Sequence, residues 1–74
     1  MDNSVVSVNP NIQGGTPCFR GTRVPISTLF DHLQQGYTLE EFLADFPTVT
    51  REQADALLEQ SKRILEQDAL ASAK

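Results

Sequence analysis

Apolar residues recur at helical spacing from Pro25 onward. Ile26, Leu29, Phe30 and Leu33 form the i, i+3, i+4, i+7 stripe of an amphipathic helix. Pro25 suits its first helical position, with Ser27 as an alternative N-cap, and Gly36 supplies a left-handed stop. Thr38 with Glu41 has the spacing of a capping box that opens a second helix, whose apolar face is Leu39, Phe42, Leu43 and Phe46 and which Pro47 ends. Thr50 with Gln53 repeats the device for a third helix, with Ala54, Leu57, Leu58, Ile64 and Leu65 expected inward. Beyond Leu65 the pattern weakens to a single anchor, Leu70, and this tail is expected to fray unless a partner covers it.

Upstream of Pro25 the period is different. Val5-Val6-Ser7-Val8 is β-branched and bounded by Pro10, which predicts a short strand. Asn9-Pro10-Asn11 and Gln13-Gly14-Gly15-Thr16 are turn chemistry. Two further extended stretches, around Pro17-Cys18-Phe19-Arg20 and Arg23-Val24-Pro25, flank a Gly-containing turn, and their prolines confine them to edges or ends. The pattern therefore predicts a mainly α fold: a three-helix helix-turn-helix domain, homeodomain-like, with a short N-terminal β-arm. The arm occupies 1–25, the helices 26–66 and the frayed tail 67–74. Phe46-Pro47-Thr48-Val49-Thr50 has the length of a helix-turn-helix connector.

Composition narrows what such a domain can do. Seventy-four residues make one domain with a thin stability margin and little spare core to wall off a deep pocket, which excludes a large self-contained enzyme. Cys18 and His32 are the sole residues of their kinds, so an internal disulfide and a multi-histidine or cysteine metal cluster are excluded, and no cofactor is expected. No apolar run approaches membrane-spanning length, and the expectation is a cytoplasmic chain without a membrane partner.

The net charge of −4 is unevenly spread. Residues 1–37 balance Arg20 and Arg23 against Asp2 and Asp31, whereas residues 38–74 set four basic residues against eight acidic ones. Arg20 and Arg23 thus form the one locally basic patch, suited to nucleic-acid phosphate or to an acidic partner surface. At the start of the third helix Arg51 and Gln53 stand where a helix-turn-helix reads base edges, while Glu52 and Asp55 complement the helix dipole there. The glycines at 14, 15 and 21 match no phosphate-loop fingerprint and read as turn residues. His32, beside Asp31, is expected on the outer side of the first helix. Cys18 reads as a small buried residue, and Glu40, Glu41 and Asp45 as a solvated face.

Taken together, Asn9-Pro10, Gly14-Gly15-Thr16-Pro17, Gly21-Thr22-Arg23-Val24-Pro25-Ile26-Ser27, Gly36-Tyr37-Thr38-Leu39-Glu40-Glu41 and Phe46-Pro47 with Thr50 resemble one family over about residues 5–65. It consists of small prokaryotic proteins long catalogued as a domain of unknown function, with a homeodomain-like fold and genes commonly beside a PIN-like ribonuclease. The resemblance implies a VapB-like antitoxin of a type II toxin–antitoxin system. Such a protein binds and inhibits its PIN-like ribonuclease toxin and represses its own operon through operator DNA. It adds Thr22, with Arg23, to the candidate DNA contacts Arg20, Arg51 and Gln53. Ile64, Leu65 and Leu70 are the expected toxin-binding residues, ordered on the toxin, and a homodimer through the β-arm would bring two copies of Arg20 and Arg23 together. A free-standing helix-turn-helix regulator is the alternative.

Overall fold

The computed structural model describes residues 4–72; residues 1–3 and 73–74 of the arm and tail lie outside that range. It is mainly helical, with three helices behind a short two-stranded hairpin. Strand β1 (Val6–Ser7) pairs antiparallel with β2 (Cys18–Phe19), Val6 opposite Phe19 and Ser7 opposite Cys18. On its other side β2 meets the segment leading into the first helix: Cys18 bridges Pro25, and the Phe19 amide donates to the Val24 carbonyl at 2.9 Å. Between the strands, Gln13 and Gly14 adopt left-handed backbone (φ 53° and 63°). Gln13 tolerates this because its side chain amide donates to the Arg23 carbonyl (3.1 Å), tying the loop to the next turn.

Helix α1 spans Ile26–Gln34, with Pro25 as its N-cap and not its first residue. The extended ψ of 141° at Pro25 keeps it outside the helix, and no side chain caps this end, so Ser27 does not serve. The far end is closed by local chemistry. Gly36 sits at φ +92°, its amide donates to the Leu33 carbonyl, and the Tyr37 amide donates to the His32 carbonyl. These are the two bonds of a Schellman motif. The Tyr37 ring lies 5.2 Å from that of His32, the apolar contact that usually accompanies it.

Helix α2 (Leu39–Asp45) opens on a complete capping box between Thr38 and Glu41. Helix α3 runs from Arg51 to Ser72 and opens on a second box: the Thr50 amide donates to Gln53 Oε1 (3.0 Å) and the Gln53 amide to Thr50 Oγ1 (3.1 Å). No break separates residues 66 and 67. Residues 67–72 of the segment expected to fray continue as helix: Gln67, Ala69, Leu70 and Ala71 are good helix formers, and no glycine or proline interrupts them.

The core lies where the hairpin, α1, α2 and the first half of α3 meet. Val5, Phe19, Leu29, Phe42, Val49, Ala54 and Leu57 are buried together, and Phe30, Leu33, Leu39, Leu43, Phe46 and Leu58 pack around them. Cys18 is also buried, as expected. Two expectations are corrected here. Ile64 and Leu65 do not face inward but are 67% and 68% exposed, because the core ends near Leu58 while the helix goes on. His32 is not on an outer face. It is half-buried between α1 and α2, with its ring 5.6 Å from Phe42 and 5.4 Å from Phe46, because the chain turns back at Gly36 and lays α2 against that side of α1.

Candidate functional site

Arg20 begins the region where the basic patch was expected. Its Nε donates to the Ser4 carbonyl (2.7 Å) and its Nη2 to the Val6 carbonyl (3.1 Å), while its own amide donates to the Val5 carbonyl (2.7 Å). Val5 faces β2 across the ladder, so Ser4 and Val6 present their backbone groups to the outer edge of β1. The Val6 amide donates there to Ser4 Oγ (3.1 Å). The outer edge is therefore occupied by the chain's own side chains, which closes it to strand addition. Dimerisation by pairing of β1 edges, the simplest form of the expected β-arm dimer, has no free ladder to use. Replacing Arg20 with methionine, which keeps the aliphatic stem, is expected to cost about 1–2 kcal/mol. Hydrogen exchange would show it as lost protection at the residue 20 amide with the helices unaffected.

Gln53 and Thr22 are likewise committed inside the fold. The Gln53 amide nitrogen donates to the Arg20 carbonyl (2.9 Å) while its oxygen closes the α3 capping box. Thr22 Oγ1 donates to the Phe19 carbonyl (2.8 Å) and accepts from the Val24 amide (3.1 Å), which fixes the turn between β2 and α1. Arg51 is exposed but lies 3.2 Å from Glu40 and 4.0 Å from Asp55. Glu40 is held below the usual carboxylate range by its own backbone N–H and then by the Arg51 hydrogen bond and charge. With Glu52 alongside, the positive charge of Arg51 is locally outnumbered.

Arg23 is the exception. Its side chain is exposed and engages no described residue. It borders an open groove of about 810 Å³ formed by Val8, Pro10, Ile12, Val24, the Gly21 turn and Thr48 of the α2–α3 connector, and among the described residues no carboxylate lines it. Thus the structure brings Arg20, Thr22 and Arg23 to one groove with a residue of the connector, but leaves Arg23 as the cation with a free guanidinium there.

The second candidate surface is the outer half of α3. Ile64 and Leu65 continue the stripe of Ala54, Leu57 and Leu58 beyond the core and are unsupported by it. Leu70 is equally exposed (70%), but at about 100° per residue it lies roughly 120–140° around the helix from both. The three expected toxin-binding residues therefore do not form one face. Periodicity carried the stripe correctly as far as Leu65; Leu70 was grouped by hydrophobicity alone.

Among the described residues no cluster of His, Cys, Asp and Glu could hold a metal ion, and no helix is long and apolar enough to cross a membrane. The chain resembles an uncharacterized protein, y4eO, of Sinorhizobium fredii (strain NBRC 101917 / NGR234). The two are 38% identical over 48 residues, which is 65% of this chain and 22% of the relative. The chain thus spans about a fifth of the length of the curated relative it matches. Its fold matches the crystal structure of a DUF433 member protein from Anabaena variabilis ATCC 29413 with a TM-score of 0.70 and 30% identity, over 97% of this chain and 71% of that one. The model of a protein family of unknown function, DUF433, covers residues 6–59, and on that match this chain belongs to the DUF433 family.

Proposed function

We propose that this protein is the antitoxin of a type II toxin–antitoxin pair, a non-enzymatic module that binds and inhibits a PIN-like ribonuclease. The observation that carries the reading is the outer half of α3. A helix that outruns its own core by several turns, with Ile64 and Leu65 on one face and solvent around them, is unsupported hydrophobic surface that a partner would cover. The acidic balance of residues 38–74 supports a nucleic-acid-handling partner, because carboxylates steer association with a basic protein and occupy the place of RNA phosphates. The test is inhibition of the co-expressed neighbouring ribonuclease by the protein and by an Ile64→Glu/Leu65→Glu variant. Inhibition by wild type and its loss in the variant are expected; equal inhibition by both overturns the assignment of this face.

The DNA-binding part of the proposal treats α2, the 46–50 connector and α3 as a homeodomain-like helix-turn-helix that autoregulates the operon. Its support is narrower than the sequence suggested. Arg51 is paired, and Gln53, Thr22 and Arg20 are committed to backbone carbonyls, so phosphate contact falls to Arg23 and the groove beside the connector. Binding by a chain of net charge −4 is expected only with the toxin's positive charge added. Arg23→Ala is expected to weaken operator retardation by the complex about 3–10-fold and to lower its salt dependence by about one ion. An unchanged salt slope removes Arg23 from the interface.

A further inference from the structure

The groove beside Arg23 has two kinds of wall. One is apolar: Val8, Pro10 and Ile12 stand there with Val24, and Val8 is 62% exposed although it directly follows β1. The other carries hydrogen-bond donors. The Arg23 guanidinium engages no described residue. The Gly21 and Arg23 amides likewise have no acceptor among the described residues, whereas the Thr22 amide between them turns back to the Phe19 carbonyl (3.0 Å). Thr48 adds a hydroxyl with no partner among the described residues, none of which brings a carboxylate to the groove. The two walls are tied together. Gln13 Nε2 donates to the Arg23 carbonyl (3.1 Å), from left-handed backbone that a non-glycine residue rarely adopts. The Ile12 amide donates to the Asn9 carbonyl (2.9 Å), so the loop carrying Pro10 and Ile12 is closed on itself and the groove is shaped in advance of any ligand.

We propose that this groove docks an extended segment of a partner protein in which acidic and apolar residues are neighbours. A carboxylate of the segment meets the Arg23 guanidinium, and its apolar side chains lie on Val8, Pro10, Ile12 and Val24. Charge selects an anion, because the groove offers an unengaged guanidinium and no described carboxylate. The apolar wall selects a peptide over nucleic acid. A sugar–phosphate backbone would leave that wall unused, and one unengaged cation neutralises only about one phosphate. A duplex also meets the eight acidic residues of 38–74, whereas a short segment touches the groove alone. The segment is held by its side chains and not as an added strand, since β2 is bonded on both sides and the outer edge of β1 is occupied. This goes beyond the operator reading above, which needs only the guanidinium, and the two occupants exclude each other at Arg23.

Fluorescence polarisation on the isolated chain tests it, with a labelled octapeptide of alternating valine and glutamate as the probe. Saturable binding is expected with a Kd of about 10–500 µM at low salt. Lysine in place of the probe's glutamates is expected to abolish binding, and serine in place of its valines to weaken it about fivefold or more. Arg23→Glu is expected to weaken the glutamate probe about tenfold or more and to admit the lysine probe, and Val8→Ser to weaken the glutamate probe about threefold. Both residues are exposed, so thermal unfolding should not change. No saturable binding to wild type up to about 1 mM, Arg23→Glu binding as tightly as wild type, or a serine–glutamate probe as good as the valine one overturns the proposal. So does a DNA duplex that binds the isolated chain through Arg23 and that the peptide fails to displace. Operator retardation by the toxin complex that needs Arg23, with no peptide binding, overturns the docking site and leaves the operator reading standing. Peptide binding through Arg23, with retardation unchanged in Arg23→Glu, supports the docking site and overturns the operator role of Arg23.

Discussion

Phe42→Ala is expected to remove a large share of the chain's stability. Phe42 is fully buried, and its ring lies 5.0 Å from Phe46, 5.6 Å from His32 and 6.1 Å from Phe19. Truncating such a residue removes about 3–5 kcal/mol through lost transfer energy and the cavity left behind. A domain of this size has roughly 4–11 kcal/mol in total, at about 0.05–0.15 kcal/mol per residue. Neighbours cannot collapse into the space cheaply, because Phe42 is the contact through which α2 meets the hairpin and α1 together. Thermal unfolding should fall by at least about 12 °C, taking about 4 °C per kcal/mol for a chain this short. A shift of under about 5 °C would place the centre of the core elsewhere.

Ile64→Glu/Leu65→Glu is expected to do the reverse: no loss of fold and a large loss of partner binding. Both side chains lie beyond the core, and glutamate is a good helix former, so stability should stay within about 0.5 kcal/mol of wild type. If the two residues anchor the ribonuclease, burying two carboxylates in their place should weaken inhibition by about 100-fold or more, the scale of a central interface residue. Leu70→Glu serves as the internal control. It alters an equally exposed leucine on another side of the same helix and is expected to change inhibition by less than about threefold. Equal effects at Leu70 and at the Ile64–Leu65 pair would mean that the partner wraps the helix and does not read one face.

The elements legible in the sequence were those whose boundaries are made by residues close together. Gly36, the Thr38–Glu41 pair, Pro47 and the Thr50–Gln53 pair each act within four residues, so their geometry is written locally, and each ends or begins a helix as expected. The misreadings concern longer range. Apolar periodicity says which side of α3 is inward but not where the core stops, and so it placed Ile64 and Leu65 inside. His32 was read from α1 alone, whereas its surroundings come from α2 and Tyr37. The arginine patch shows the same limit. Arg20 engages carbonyls 14 and 16 residues away, and Gln53 engages one 33 residues away; a basic or amide side chain in a sequence carries no mark of such a partner. Arg23, whose side chain has no such partner among the described residues, kept the exposure its composition suggested.

The two capping boxes differ by one atom pair. In α2 the third residue is Glu41, which needs only to accept from the Thr38 amide. In α3 it is Gln53, whose oxygen accepts from Thr50 and whose nitrogen donates to Arg20, the residue that clasps β1. A glutamate at 53 would complete the box equally well and sever the link to the hairpin, setting an anionic oxygen against a carbonyl. Gln53→Glu therefore keeps the helix start and loses the tie to Arg20. Through the single Gln53 amide nitrogen the start of the third helix and the clasp on the first strand are mechanically coupled.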